Sequence, residues 1–252
     1  MNSPSQKPRV AVVFGGRSSE HAISCVTAGS VLAAIDPEQY DVVPIGIATD
    51  GRWVLESGDP ERLRIDGPDR LPAVDGDRAS IALAPEATST GLVVTEPSQP
   101  PRTLGDVDVV FPLLHGPWGE DGTIQGMLEM AGVRYVGAGV LASAVSMDKA
   151  YMKVVLAAAG LPLLPSVTVT AAEWERDEAG CRERVDRLGY PQFVKPARGG
   201  SSFGISKVHD ATELADAIAE AVRFDPKVLV EAAAVDAREI ECGVLQLSLI
   251  HI

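Results

Sequence analysis

The chain has 252 residues, 46% of them hydrophobic and 23% charged, with a net charge of −13 from 22 basic and 35 acidic side chains. That suffices for one large or two ordinary hydrophobic cores, and the acidic balance argues against nucleic acid or an anionic membrane as partner. Cys25, Cys181 and Cys242 are too scattered for a disulfide framework or a zinc site and suit a reducing cytoplasm.

The polar start, Met1–Arg9, leads into Val10–Phe14, an apolar run too short for a signal-peptide core. It reads instead as a buried strand opening at Gly15-Gly16. Ser18 or Ser19 is placed to cap the next helix, with Ile23, Val26, Ala33 and Ala34 on its apolar face, and Asp36-Pro37 ends it. Val42–Ile47 is a second strand, and strand–helix–strand at this spacing predicts a parallel sheet.

Residues 56–105, rich in Pro, Gly, Asp and Ser, read as a variable hairpin or long loop with short strands at Ile81–Leu83 and Leu92–Val94. Val107–Leu114 resumes the sheet. A helix follows Gly122, with Ile124, Met127, Leu128 and Ala131 at helical spacing and Gly132 as its stop. Val133–Val136 is another expected strand.

Asp148 should cap a helix whose stripe is Met152, Val155, Leu156 and Ala159, ended by Gly160. Val154–Ala172 is uncharged but broken by Gly160, Pro162 and Pro165, so it is not a membrane span. Next come a strand (Val167–Val169), a helix, a strand (Gln192–Lys195), a glycine-rich loop, a strand (Gly204–Val208), a helix and a strand (Lys227–Glu231). Asp210 and Glu213 have capping-box spacing, and Leu214, Ala217, Ile218 and Ala221 form an apolar helix face. This half mixes helices with a small antiparallel sheet.

Five segments carry candidate chemistry. In Phe193–Gly204, Lys195 and glycines 199, 200 and 204 would let backbone amides and an ammonium close on phosphate oxygens, or simply form a hairpin turn. It is not a P-loop. In Phe14–Ser24, Glu20 at a helix start is either a surface charge or a grip for a substrate ammonium, and His21 beside it has no assigned role. Leu114–Gly126 joins a strand end to a helix, where α/β sheets bind ligands; His115 is a candidate there, and Glu120 and Asp121 are helix caps or ligands. Lys149 at a helix N-terminus is unfavourable unless an anion binds, or is merely solvated. Glu231 and Glu239 either bracket an adenosine or lie in a solvated hinge. No segment has a metal-ligand pattern.

Together GGRSSEHAIS, LHGPWGEDGTIQG, YVGAG, SMDK, FVKPARGGSSFGISKV and VLVEAA…REIECGV resemble the successive signatures of D-alanine–D-alanine ligases, enzymes of the ATP-grasp fold, most closely actinobacterial ones. The resemblance covers Arg9 to Leu245 apart from 56–105. It implies a Rossmann-like, parallel-sheet α/β domain (9–146), a small α+β ATP-grasp domain (147–235) and the start of a third domain (236–252).

It also implies ATP-dependent joining of two D-alanines through an acyl phosphate for peptidoglycan synthesis, with ATP and Mg2+ (or Mn2+), in a cytoplasmic homodimer. By resemblance Glu20 holds the first D-alanine's ammonium with His115 nearby, and Ser201 links to that glutamate. Lys149 and Lys195 bind phosphates, with Gly200 and Ser202 in the loop over them. Glu231 and Glu239 line the adenine and ribose side. Ala232 stands where many relatives carry lysine, and Ala234–Glu239 is one residue longer than the family pattern and lacks its usual glycine.

The family's third domain carries the metal ligands. The chain's ending, Leu-Ser-Leu-Ile-His-Ile252, resembles translated adapter sequence, so the expectation is a truncated or chimeric frame, inactive by itself. Two other readings stay open: a D-alanine–D-lactate type ligase, and a non-catalytic nucleotide- or amino-acid-binding module.

Overall fold

In a computed structural model, residues 7–67, 70–83, 91–96 and 100–243 are described; the carboxy-terminal hexapeptide lies outside them. Among the described residues, eleven strands form two sheets.

The first sheet grows from β1 (Arg9–Gly15), which from Val10 onward is apolar and buried on both faces. It pairs in parallel with β2 (Asp41–Ile47) and with β7 (Val109–Pro112). Its period-2 alternation sends Ala11 and Val13 to one layer and Val10, Val12 and Phe14 to the other. Helix α1 (His21–Ala34) crosses from β1 to β2 and contributes Cys25 and Ala28 to the second layer; α2 (Thr123–Met130) contributes Ile124 and Leu128 to the first. Residues 56–105 are more than a loop. After β3 (Trp53–Leu55), strands β4 (Ser80–Leu83), β5 (Gly91–Thr95) and β6 (Arg102–Asp106) extend the same sheet antiparallel, in the order β6-β5-β4-β3-β2-β1-β7.

The second sheet is wholly antiparallel, ordered β10 (Ser206–Val208), β9 (Gln192–Pro196), β11 (Lys227–Ala232), β8 (Ser166–Thr170). One face packs on helices α6 (Glu178–Asp186) and α7 (Leu214–Val222) through Val194, Val228 and Val230; Leu214, Ala217, Ile218 and Ala221 all point into that core as their spacing predicts. Alternation places Lys195 and Glu231 outside this core cluster, on neighbouring strands.

Several local expectations fail for identifiable reasons. Helix α1 begins at His21 with Glu20 as its N-cap, and no serine caps it, because the Ser18 hydroxyl is turned to the His115 carbonyl. Its buried face is His21, Ser24, Cys25, Ala28 and Gly29, while Ile23, Ala33 and Ala34 are exposed. Small side chains serve there because Ser24 bonds the Gly15 amide and the Leu113 carbonyl, and Gly29 lies against Pro60 and Leu63. Val133–Val136 makes only a single parallel bridge, Tyr135 to Val110.

Asp148 does cap α4 (Lys149–Ala158), accepting from the amides of Ala150 and Tyr151, yet none of that helix's residues is fully buried. Asp210 and Glu213 form no capping box. Asp210 bonds Thr212, and Glu213 accepts from the His209 amide. The capping box present, Thr170 with Glu173, starts α5 (Ala171–Arg176), so the single helix expected between β8 and β9 is two. A further helix, α3 (Val140–Met147), precedes α4.

Ile218 is the centre of the second core, 1% exposed. Ile218→Ala should destabilise the protein by about 2–5 kcal/mol. Urea denaturation should show a lower midpoint; an unchanged midpoint would mean that this core does not hold the fold.

Candidate active site

Glu20 sits where β1 turns into α1 and is 7% exposed. The Ser18 hydroxyl accepts from the Glu20 amide (3.2 Å) and donates to the His115 carbonyl (2.7 Å), tying the β1–α1 turn to the loop after β7. That loop presses on Glu20 so closely that Gly116, at φ +72°, has no room for a side chain beside the carboxylate. The Glu120 carboxylate accepts from the Gly116 amide (2.6 Å), while Asp121 accepts from Trp118 and Thr123, so both acids hold the loop and helix start. His115 shares a hydrogen bond with the Thr27 hydroxyl (3.1 Å). His21 donates from Nδ1 to the Gly16 carbonyl (2.6 Å) and accepts at Nε2 from the Val74 amide (3.1 Å), pinning the 56–105 segment to the glycine turn.

The second half reaches this cluster through its glycine loop. Ser201 donates a hydrogen bond to Glu20 across 181 positions of sequence. Ser201 and Ser202 both take positive φ, +46° and +60°, a conformation costly for non-glycine residues and concentrated at functional loops. Gly200 passes beside the Glu20 carboxylate. Between the halves lies a cavity of about 240 Å³, lined by Glu20, Trp118, Pro196, Gly199, Gly200 and Phe203 among others.

Around the loop stem are three lysines. Lys149 donates to the carbonyls of Gly199 (2.7 Å) and Pro196 (3.3 Å). Burial, then repulsion from Lys195, holds its ammonium below the usual lysine value. Lys195 donates to Glu231 (2.6 Å), and Lys153 is ion-paired with that carboxylate's other oxygen. Burial pushes Glu231 upward, but hydrogen bonds from Lys153 and Lys195 outweigh it and leave its carboxyl below the usual range. Lys149, Lys153, Lys195, Lys227 and Arg198 outnumber Glu231, Asp148 and Asp225 here, which leaves a local excess of positive charge in an otherwise acidic protein, suited to a polyanion.

The structure thus gathers Glu20, Ser201 and Gly200 at one point, and Lys149, Lys195 and Glu231 at the loop stem. Ser202 lies in the loop, and His115 adjoins Gly116. Glu239 is not drawn in: it is exposed beyond β11, with no hydrogen bond or ion pair to another described residue. Lys153 escaped the reading of the sequence, although its spacing four residues after Lys149 on one helix was a legible signal. Among the described residues no three His, Cys, Asp or Glu side chains converge as a metal site, so the Mg2+ expected with ATP finds no donor set there. No described helix is long and apolar enough to cross a membrane.

Comparison with known proteins adds the decisive observation. Residues 9–138 match the D-ala D-ala ligase N-terminus family, and residues 155–251 match the D-ala D-ala ligase C-terminus. The chain belongs to the D-alanine–D-alanine ligase family. It is 58% identical over 240 residues to a D-alanine–D-alanine ligase of Paenarthrobacter aurescens (95% of this chain, 63% of that protein). It is 55% identical over 251 residues to one of Streptomyces avermitilis (96% of this chain, 65% of that protein).

The fold matches solved structures of the VanG D-Ala:D-Ser ligase of Enterococcus faecalis (TM-score 0.75, 35% identity, 90% of this chain and 63% of that one) and of the Coxiella burnetii D-alanine–D-alanine ligase (TM-score 0.71, 35% identity, 90% and 64%). The chain spans about 63% of the length of the curated relatives it matches first.

Because Glu231 is held ionised by two lysines, it contributes stability that is complete above the ordinary glutamate pKa and lost as pH falls through its lowered folded value. Glu231→Gln should therefore cost about 1–3 kcal/mol at neutral pH. In thermal melts the gap between the two proteins should close below about pH 4; a gap independent of pH would remove the ion-pair account.

Proposed function

We propose that the protein is an ATP-dependent D-alanine–D-alanine ligase acting in peptidoglycan synthesis. The observation that carries this reading is the Ser201–Glu20 hydrogen bond, which sets a candidate phosphate loop directly against a buried carboxylate able to hold an ammonium. A carboxylate is a poor electrophile, so joining two amino acids requires its activation. In this reading the first D-alanine's carboxylate attacks the γ-phosphorus of ATP, giving an acyl phosphate and ADP. The second D-alanine's amine then attacks the acyl carbon, and inorganic phosphate leaves with the C–O bond electrons.

The chain's own residues position and neutralise. Glu20 receives the first ammonium, with His115 on the neighbouring loop. Ser201 fixes Glu20 and the loop in one geometry. Lys149 and Lys195 bind phosphate oxygens, and an arriving nucleotide draws Lys195 from Glu231 while Lys153 keeps that carboxylate charged. Amides around Gly200 and Ser202 close over the phosphates, and Glu231 borders the nucleotide. Glu239 reaches the ribose only if the segment after β11 moves.

ATP with Mg2+ (or Mn2+), a cytoplasmic setting and a homodimer belong to the same reading. The curated relatives favour D-alanine as second substrate; the VanG neighbour makes D-serine the competitor to test, alongside D-lactate.

Calorimetric titration should show ATP and D-alanine binding separately. Lys195→Met should weaken ATP, and Glu20→Gln should weaken D-alanine, each by about 30-fold or more, the usual cost of removing one partner of a hydrogen-bonded charge pair. The complete gene product should release ADP only when D-alanine is present, and more slowly with D-serine or D-lactate. ATP and D-alanine affinities unmoved by these substitutions would sink the site, and ADP release indifferent to D-alanine would sink the activity.

A further inference from the structure

The Phe224-Asp225 pair, in the short connection between α7 and β11, touches both stems of the glycine loop although it is far from that loop in sequence. Asp225 is 2% exposed. Its Oδ2 accepts from the Arg198 amide (2.8 Å) and Nε (2.9 Å), and its Oδ1 accepts from Arg198 Nη2 (2.7 Å) and the Lys227 amide (3.0 Å). Arg198 is the last residue before Gly199, so this carboxylate grips the entry stem by both backbone and side chain. At the exit stem the Phe224 ring lies 6.3 Å from the Phe203 ring, centroid to centroid. It also fills the space beside Gly204, where a Cβ would come within 2.5 Å of it.

The pair is itself anchored, since the amides of Phe224 (3.1 Å) and Asp225 (3.2 Å) both donate to the Ala221 carbonyl at the end of α7. Asp225 is buried while the Arg198 side chain is half exposed, but the bidentate geometry engages both carboxylate oxygens and fixes the pair's orientation. The half-exposed Phe203 and Phe224 rings add a second contact, on the opposite stem.

We propose that Phe224 and Asp225 are positioning residues that clamp both ends of the glycine loop and so set where Ser201 meets Glu20. The clamp stands on the contacts above; its use for nucleotide binding rests on the ligase reading. A loop holding two serines at positive φ would otherwise relax away from the conformation that presents its amides to phosphate.

The test is Asp225→Asn in the full chain, read by amide hydrogen exchange of residues 199–205 without nucleotide and by ATP titration. Loop exchange should speed up by about tenfold or more, with the α5–α6 peptides unchanged. The ATP dissociation constant should rise by about tenfold with binding stoichiometry unchanged, whereas simple loss of folded protein lowers stoichiometry and leaves affinity intact. Unchanged loop exchange, or a fall in stoichiometry alone, overturns the clamp.

Should Asp225→Asn lose protection throughout, Phe224→Ala decides: faster loop exchange with the α7 core protected supports the clamp, and an unaltered loop refutes it. If the unsubstituted chain binds no ATP, the ligase reading fails while the exchange data still judge the clamp.

Discussion

A single side-chain hydrogen bond, from Ser201 to Glu20, ties the glycine loop of the second half to the carboxylate of the first. Glu20 belongs to the turn between β1 and α1 in the first core; Ser201 rides on a loop of the second. A carboxylate alone would be an ordinary helix-start charge. A glycine loop alone would be a hairpin turn. Brought together, they border one cavity between the halves, and the proposed activation of an amino-acid carboxylate would need an ammonium and a polyphosphate held side by side there.

The charge pattern around that contact is asymmetric in a chemically sensible way. The protein is acidic overall, yet at the loop stem Lys153 and Lys195 both pair with Glu231 and Lys149 sits on the Pro196 and Gly199 carbonyls. Burial and the neighbouring Lys195 disfavour the charged form of Lys149, which an anion bound beside it would stabilise. Glu231 gives Lys195 a partner to hold and release. Open-face alternation on the antiparallel sheet brings this about, because the same period that buries Val194 and Val230 leaves Lys195 and Glu231 facing away from the helices.

The segment 56–105 shows how a region of weak local signals becomes structural. Its strands are short and its composition loop-like, but β4, β5 and β6 each find a neighbour by extending an existing sheet edge. Val74 then donates to His21 and packs against the glycine turn, so part of the segment supports the site.

Strong periodicity made β1, β2 and α7 legible from the sequence alone, because a buried strand or an amphipathic helix must repeat its apolar residues at its own period. Glycine turns, the Asp148 cap and the ordered signatures around Glu20, Lys149, Lys195 and Ser201 likewise fixed the family resemblance before any contact was known. The buried face of α1 carries no legible apolar period, because Ser24 bonds the ends of β1 and β7 and Gly29 lies against Pro60 and Leu63, contacts made by residues distant in sequence. Thr170 with Glu173 was legible as a capping box and overlooked, whereas Asp210 with Glu213 had the spacing without the geometry.

The family resemblance already implied that Ser201 meets Glu20, but only the tertiary structure decided that Lys153 meets Glu231 and Asp225 meets Arg198. Such pairs are separated by 27 to 181 positions, except in so far as sheet register links them. Local sequence encodes helices, strands and turns, but the distance between two side chains far apart in the chain is set by how the layers between them pack.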